Sequence, residues 1–193
     1  LDYYKNNGIY FFIPAAFTAL AILEKDAFVF SASELQESYK FLQDFFINEF
    51  AYDVDRTPED FLQKNIAAFM DEAVLIPHPT LPDTYNLTSA GFRTLKLFSG
   101  FLRTYFESYW IVLNFFMRYP KDFIETKDRM KKIQSLGIRM LKRKEIARSE
   151  AISLINYKNA VDFFIGRGIR SADDSEKIEF YAGKIKRYLE YLP

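Results

Sequence analysis

The sequence has no cysteine and only one histidine, and these two shortages exclude several kinds of active site. Without cysteine, the chain can form neither a disulfide nor a thiolate nucleophile, and it lacks the ligands of cysteine-type zinc sites. A single imidazole cannot build a histidine cluster around a metal ion either. We therefore expect no metal and no other cofactor in this chain.

The chain also has no net charge, because 26 Lys and Arg residues balance 26 Asp and Glu residues. A neutral chain sets up no overall field that favours nucleic acid or another acidic partner, so any electrostatic contact must come from a local surface. Glycine and proline are scarce, at seven residues each, whereas there are 21 Phe and 13 Tyr. This composition is typical of helices that pack through aromatic side chains.

A length of 193 residues with an apolar content of 49% is enough to bury a core. We expect a single domain over residues 1–193, with one candidate sub-boundary near Pro120. The first residues lack the initiator methionine and the basic segment of a secretion signal, so we expect the chain to begin inside a longer protein.

An almost unbroken apolar run of fifteen residues extends from Ile9 to Leu23 and is interrupted by Pro14. It is shorter than the roughly 20 residues that span a bilayer. The run predicts a buried helix, and insertion of that helix into a membrane interface is the alternative.

Two helix start signals follow this run. Ser33-Glu34-Leu35-Gln36 has the pattern of a capping box and opens an amphipathic helix to Phe50. Thr57-Pro58-Glu59-Asp60 combines a capping threonine, a proline at the first helical position and two acids that favour the positive end of the helix dipole. Both signals predict helices of several turns.

The segment from Val74 to Leu87 predicts a short β-hairpin with a proline-stiffened tip at residues 77–83. It is the only strand signal that we identify. Thr88 then caps a long predicted helix that runs to Tyr119. The predicted fold is therefore mainly α, a helical domain with one short β-hairpin, and residues 57–119 form a winged-helix-like arrangement.

The last third of the sequence predicts three further helices, over residues 122–146, over residues 149–164, and from Ser175 onward. The first of them is strongly basic. Its cations, with one just beyond it, are Arg129, Lys131, Lys132, Arg139, Lys142, Arg143, Lys144 and Arg148. A solvated helix face, a membrane-surface patch and a dock for an acidic partner protein are three interpretations that stay open.

Three separated stretches carry motifs. The first is Tyr3-Tyr4-Lys5-Asn6-Asn7, followed by the apolar run to Pro14. The second joins Leu87-Thr88-Ser89-Ala90-Gly91 to Glu107-Ser108-Tyr109-Trp110. The third is Arg148-Ser149-Glu150-Ala151, which continues through Asn156-Tyr157-Lys158-Asn159-Ala160 to Phe163-Phe164.

In this order and spacing, the stretches resemble the C-terminal region of the membrane-bound glycerol-3-phosphate acyltransferase family of the bacterial type. That family is related to the mitochondrial glycerol-3-phosphate and peroxisomal dihydroxyacetone-phosphate acyltransferases. Two departures are visible, since Lys5 replaces an Arg and Tyr10 stands where many relatives carry His. The role that the family gives that His is not carried over to Tyr10.

The resemblance implies a parent enzyme that transfers an acyl group from acyl-CoA or acyl carrier protein to glycerol 3-phosphate in phospholipid synthesis. In the family, a His-x4-Asp pair and a phosphate-binding Glu-Gly-Thr-Arg motif lie upstream of the matched region. The chain is thus expected to be a non-catalytic C-terminal domain that packs on its own N-terminal catalytic domain. The membrane surface and acyl carrier protein are its other implied partners, and its implied place is the cytoplasmic face of a membrane.

His78 and Asp83 nevertheless complete a His-x4-Asp pattern within this chain. The pair lies on the proline-rich hairpin tip, and no Glu-Gly-Thr-Arg sequence follows it. We interpret the match as coincidental and expect no catalytic residue in the chain.

Two alternatives come from other functional classes. One is a nucleic-acid-binding winged helix over residues 57–119, and the other is a free-standing helical adaptor. The helix after Thr88 begins with only Arg93, Lys96 and Arg103 among aromatic residues. The predicted wing is proline-rich and has no Lys or Arg, so we expect no nucleic-acid partner.

Overall fold

The computed structural model describes residues 2–51, 53, 55–119 and 128–193, and for residues 2–11 it describes the helical backbone alone. Contacts between Cα atoms divide the chain into two compact units. Unit 1 comprises Leu1–Phe101 and Tyr191–Pro193, and unit 2 comprises Leu102–Glu190. The predicted sub-boundary at Pro120 lies outside the described residues, and the grouping of the whole chain into one domain stays a prediction.

Unit 1 consists of helices around a small antiparallel sheet. Its elements, in chain order, are α1 (Asp2–Glu24), β1 (Val29–Ser31), α2 (Ala32–Phe45), α3 (Pro58–Asp71), β2 (Leu75–Pro77), β3 (Thr84–Leu87) and α4 (Ser89–Ser99). The strand order is β1-β3-β2, with Phe30 opposite Tyr85 and Ile76 opposite Asn86. The mainly α prediction is confirmed.

The winged-helix-like arrangement is present, but its elements differ from the predicted ones. The order helix, strand, helix, helix, strand, strand runs from α1 to β3, so it begins well before residue 57. The prediction of a single hairpin was incomplete because β1 adds a third strand. This strand is three residues long, and only Phe30 in it is buried, so it carries almost no alternating pattern.

From Ile13 onward, the apolar run in α1 is largely buried, as predicted. Phe17, Leu20 and Ile22 are at most 1% exposed. The Phe17 ring stacks on Phe46 with centroids 6.1 Å apart, and α1 packs against α2, α3 and α4. The helix continues through Pro14, whose carbonyl oxygen accepts a hydrogen bond from the Thr18 hydroxyl at 2.8 Å.

The helix starts of unit 1 depend on capping side chains. Thr57 caps α3 as predicted, and it exchanges hydrogen bonds with Asp60 in a capping box. The predicted box at residues 33–36 was displaced by two residues, since Ser31 is the cap of α2 and Glu34 is its partner. The cause is β1, which ends at Ser31 and brings the backbone to the helix start in an extended conformation.

Among the described residues of unit 2, the regular elements are all helices. It contains α5 (Leu102–Arg118), α6 (Arg129–Lys142), a 3-10 turn (Ser149–Ala151), α7 (Leu154–Gly166) and α8 (Ser175–Tyr191). The predicted long helix from Thr88 to Tyr119 was wrong, because α4 ends at Ser99 and α5 starts anew at Leu102. The predicted helix at residue 149 starts at Leu154 instead, where the Ser153 hydroxyl accepts from the backbone of Asn156.

Helix α5 is the centre of unit 2 and packs against both α6 and α7. The Phe106 ring stacks on Tyr188 of α8 at 5.3 Å, and Tyr109 meets Phe164 of α7 at 5.9 Å. Helix α6 approaches α7 closely at Gly137, where an added Cβ would lie 2.5 Å from the Tyr157 hydroxyl oxygen. The core of the unit is therefore aromatic, as the composition indicated.

Candidate functional site

A buried carboxylate lies in the middle of α5. Glu107 is 1% exposed, and it is the only acidic residue of that helix. Its two oxygens accept backbone N–H hydrogen bonds from Ala147 at 2.9 Å and from Arg148 at 2.7 Å. The Arg103 guanidinium, one helical turn earlier, donates from Nε at 2.9 Å. Three donors thus satisfy a charge that would be costly to bury alone.

The next residue of α5 extends this arrangement. The Ser108 hydroxyl oxygen lies 2.9 Å from the carbonyl oxygens of both Thr104 and Ala151. It also accepts from the side-chain amide of Asn156 at 3.3 Å. One hydroxyl therefore bridges α5, the 3-10 turn and the first turn of α7.

We call these groups the Glu107 network: Arg103, Glu107, Ser108, the backbone of residues 147, 148 and 151, and Asn156. The network joins α5 to the chain between α6 and α7. Without the Glu107 carboxylate, the backbone N–H groups of Ala147 and Arg148 would have no acceptor next to a buried surface. The network thus acts chemically as a structural clamp, and its carboxylate is closed to solvent.

The predicted basic residues lie on α6 and in the loop that follows it. Arg129 and Lys132 are half-buried, and the other six are exposed. Lys131 pairs with Asp128 at 3.4 Å, and Arg143 lies 3.8 Å from Glu145. Arg148 brings its backbone to Glu107, so the Glu107 network fixes the loop that carries the last of these cations.

His78 and Asp83 lie on the turn between β2 and β3. The His78 Nδ1 atom accepts from the backbone N–H groups of Thr80 at 3.3 Å and Leu81 at 3.2 Å. Asp83 has a left-handed backbone with φ of 48°, and its carbonyl oxygen accepts from the Ala32 N–H. Among the described contacts, the imidazole therefore orders its own turn and makes no hydrogen bond to the Asp83 carboxylate.

Helix α3 occupies the position that reads DNA in nucleic-acid-binding winged helices. It carries Glu59, Asp60 and Asp71 against a single Lys64. Phosphate groups would be repelled by this surface, since nucleic-acid binders present Lys and Arg there. The absence of a nucleic-acid partner stays a prediction.

The family model described as glycerol-3-phosphate acyltransferase C-terminal region matches residues 1–173. The chain belongs to this family. No match is found among curated proteins or among solved structures. The family assignment confirms the resemblance carried by the three motif stretches.

In this acyltransferase C-terminal region, the second and third motif stretches meet at the Glu107 network. Glu107 and Ser108 come from the second stretch, and Arg148, Ala151 and Asn156 come from the third. In the first stretch, the side chains of residues 3–11, with Lys5 and Tyr10 among them, lie outside the described residues.

Two further observations concern metals and membranes. Among the described residues, no group of three His, Asp or Glu side chains could hold a metal ion. In the same part of the chain, none of the helices combines the length and apolarity needed to cross a bilayer.

Sequence reasoning missed the Glu107 network as a site, although it named several of its members as motif residues. A signal was present, because Glu107 is a lone acid in an apolar helix with Arg103 four residues before it. The partners Ala147 and Arg148 contribute only backbone N–H groups, which every residue except proline has, so their side chains give no sequence signal.

Proposed function

We propose that this chain is the non-catalytic C-terminal domain of a glycerol-3-phosphate 1-O-acyltransferase and that it packs on the catalytic domain of the same polypeptide. The parent enzyme transfers an acyl group from acyl-CoA or acyl carrier protein to glycerol 3-phosphate. Its place is the cytoplasmic face of a membrane. The observation that carries this proposal is the Glu107 network, in which family motif residues bind one another.

A residue that performs acid–base chemistry must reach its substrate at hydrogen-bond distance. Glu107 is 1% exposed and already accepts three hydrogen bonds from its own chain. The motif residues of unit 2 thus serve the fold of the domain. This observation favours a structural role for the chain and a catalytic site elsewhere in the proposed parent enzyme.

The one His-x4-Asp pattern supports the same conclusion. A general-base His needs a carboxylate that orients its imidazole. The His78 ring instead accepts from two backbone N–H groups of an exposed turn. If this chain alone were to transfer an acyl group, His78 would lack the carboxylate that a general base requires.

The proposal is tested by producing the catalytic part of the parent enzyme and this chain as separate polypeptides. We expect the two to co-elute in size-exclusion chromatography, and we expect the chain alone to show no acyl transfer from acyl-CoA to glycerol 3-phosphate. A Glu107→Ala chain should bind the catalytic part less well, because its fold is weakened. The matched control is Glu179→Ala, which makes the same change at an exposed acid on α8.

Two outcomes would reject the proposal. One is acyl transfer by the isolated chain. The other is a catalytic part that elutes alone and is equally active and stable whether or not the chain is present.

A further inference from the structure

Residues 128–148, which we call the basic segment, concentrate positive charge in an otherwise acidic chain. The segment holds eight cations against Asp128 and Glu145, a net charge of +6. Because the whole chain is neutral, its remaining residues carry a net charge of −6. A local surface of positive charge attracts an anionic surface even when the whole chain is neutral.

Of the five cations on α6, Lys131, Arg139 and Lys142 are exposed to solvent, and Arg129 and Lys132 are half-buried. Ile133, Leu136 and Met140 form the buried side of this helix and are at most 1% exposed. Lys131 and Lys142 are exposed on the opposite side. At 1.5 Å per residue, the helix carries this charge over about 20 Å, which is longer than a single phosphate group requires.

Several of these charges are available to a partner. The two acids of the segment lie at its ends and pair with Lys131 and Arg143. Among the described residues, Arg139, Lys142 and Lys144 form no ion pair. Ile138 is 41% exposed, and it lies one turn before Lys142 and two turns after Lys131 on the same face.

Lys144 occupies a position at which glycine is normally preferred. It follows the C-cap Arg143 with a left-handed φ of 59°. The N–H groups of Lys144 and Glu145 bond to the carbonyls of Leu141 and Met140, the pattern of a Schellman motif. A side chain with a Cβ is strained there, so the segment keeps a cation where glycine would be more stable.

From these observations we propose that the basic segment binds the headgroups of anionic phospholipids at a membrane surface. An extended row of cations fits an array of phosphates, and an aliphatic side chain between lysines suits the boundary between headgroups and acyl chains. The buried side of α6 belongs to the core of unit 2, so the contact is adsorption at the surface without insertion of the helix. This inference does not depend on packing against the catalytic domain.

The test measures partition of the 193-residue chain onto lipid vesicles by co-sedimentation. We expect binding to vesicles of phosphatidylcholine with about 30% phosphatidylglycerol, little binding to pure phosphatidylcholine, and loss of binding at about 0.5 M salt. Reversal of Arg139, Lys142 and Lys144 to Glu should lower the partition coefficient at least about tenfold. The matched control reverses Lys40, Lys64 and Lys177, which are exposed elsewhere, and should bind much more strongly than that variant.

A second pair of variants separates binding from stability. Lys144→Gly should raise the melting temperature while weakening vesicle binding, because it relieves strain and removes a cation. Ala73→Gly is the matched control, since Ala73 follows α3 with φ of 54° and its neighbour Val74 bonds to the Phe69 carbonyl in the same pattern. That variant should also be stabilised but should bind vesicles as the wild type does.

The proposal is overturned if the wild type and the variant with Arg139, Lys142 and Lys144 reversed bind anionic vesicles equally. Circular dichroism must show that both proteins are folded. Absence of any vesicle binding by the wild type overturns it as well. If the wild type ignores vesicles but binds acyl carrier protein or duplex DNA through these cations, the segment is a protein or nucleic-acid dock, and the lipid proposal is wrong.

Discussion

The carboxylate of Glu107 accepts a hydrogen bond from the backbone N–H of Arg148 at 2.7 Å, across 41 positions of the chain. Glu107 lies in the middle of α5, and Arg148 lies at the end of the basic segment. One buried acid therefore stabilises unit 2 and also positions the loop that carries its last cations. Substitution of Glu107 should therefore affect both the stability of unit 2 and the hydrogen exchange of that loop.

Replacement of Glu107 by Ala should lower the free energy of unfolding by about 2–4 kcal/mol, because buried donors lose their acceptor. Glu107→Gln keeps one acceptor oxygen and should cost less. Urea unfolding followed by circular dichroism gives the free energies, and hydrogen exchange should accelerate at the amides of Ala147 and Arg148. An unchanged urea midpoint for Glu107→Ala, or amides that exchange as slowly as before, would contradict the role of the network.

Gly137 and Tyr157 provide a second prediction. An alanine Cβ at position 137 would lie 2.5 Å from the Tyr157 hydroxyl oxygen and 3.2 Å from Ile111 Cδ1. Gly137→Ala should therefore destabilise the protein, although the same change in an open helix stabilises it by roughly 0.5–1 kcal/mol. The Tyr157 hydroxyl is buried and has no hydrogen-bond partner among the described residues, so Tyr157→Phe should be nearly neutral.

A double-mutant cycle tests this contact. Combined with Tyr157→Phe, Gly137→Ala should cost less than it does alone, because the atom nearest to the new Cβ is gone. Gly183→Ala in α8 is the control, since a Cβ there meets no atom within 4 Å, and it should raise the melting temperature. Equal costs of Gly137→Ala in both backgrounds would show that the tyrosine hydroxyl is not the obstacle.

Two helix starts were predicted correctly from the sequence. The start of α3 at Thr57 and the start of α8 at Ser175 were recovered. The start of α3 is encoded locally, because its capping box lies within one helical turn. Strand β1 was missed because its pairing partner β3 lies more than fifty residues away. The break between α4 and α5 had only Gly100 as a local sign.

The candidate site shows the same limit. The sequence places Arg103 and Glu107 on one face of a helix, and that much is readable from their spacing. The acceptors and donors that complete the network are main-chain groups of Ala147, Arg148 and Ala151. Only the packing of α5 against the chain between α6 and α7 brings them together, and no side-chain pattern encodes it.

His78 should be dispensable for catalysis. Substitution of His78 by Ala in the intact acyltransferase should leave kcat and KM for glycerol 3-phosphate nearly unchanged, because the ring only orders the turn at residues 78–81. Steady-state assays of wild type and variant provide the measurement, and melting temperatures show whether any small loss comes from stability. A fall in kcat of several orders of magnitude with an intact fold would make His78 a catalytic base.

The capping box of α3 should make stability depend on pH. The backbone N–H of Thr57 donates to the Asp60 carboxylate at 2.8 Å, and this bond holds the pKa of Asp60 below its ordinary value of 3.8. A lowered pKa in the folded state means that the ionised acid stabilises the protein above pH 3.8 and that this contribution disappears as the pH falls through the lowered value.

Asp60→Ala should accordingly lower the free energy of unfolding at neutral pH, and the difference from wild type should shrink as the solution is acidified below pH 3.8. Urea unfolding at a series of pH values gives both curves, and contributions of the other carboxylates cancel between them. Glu59→Ala is the neighbouring control, since the structure gives that exposed acid no bond to the cap. A difference for Asp60→Ala that stays constant down to the most acidic condition would show that the ionised carboxylate does not stabilise this helix start.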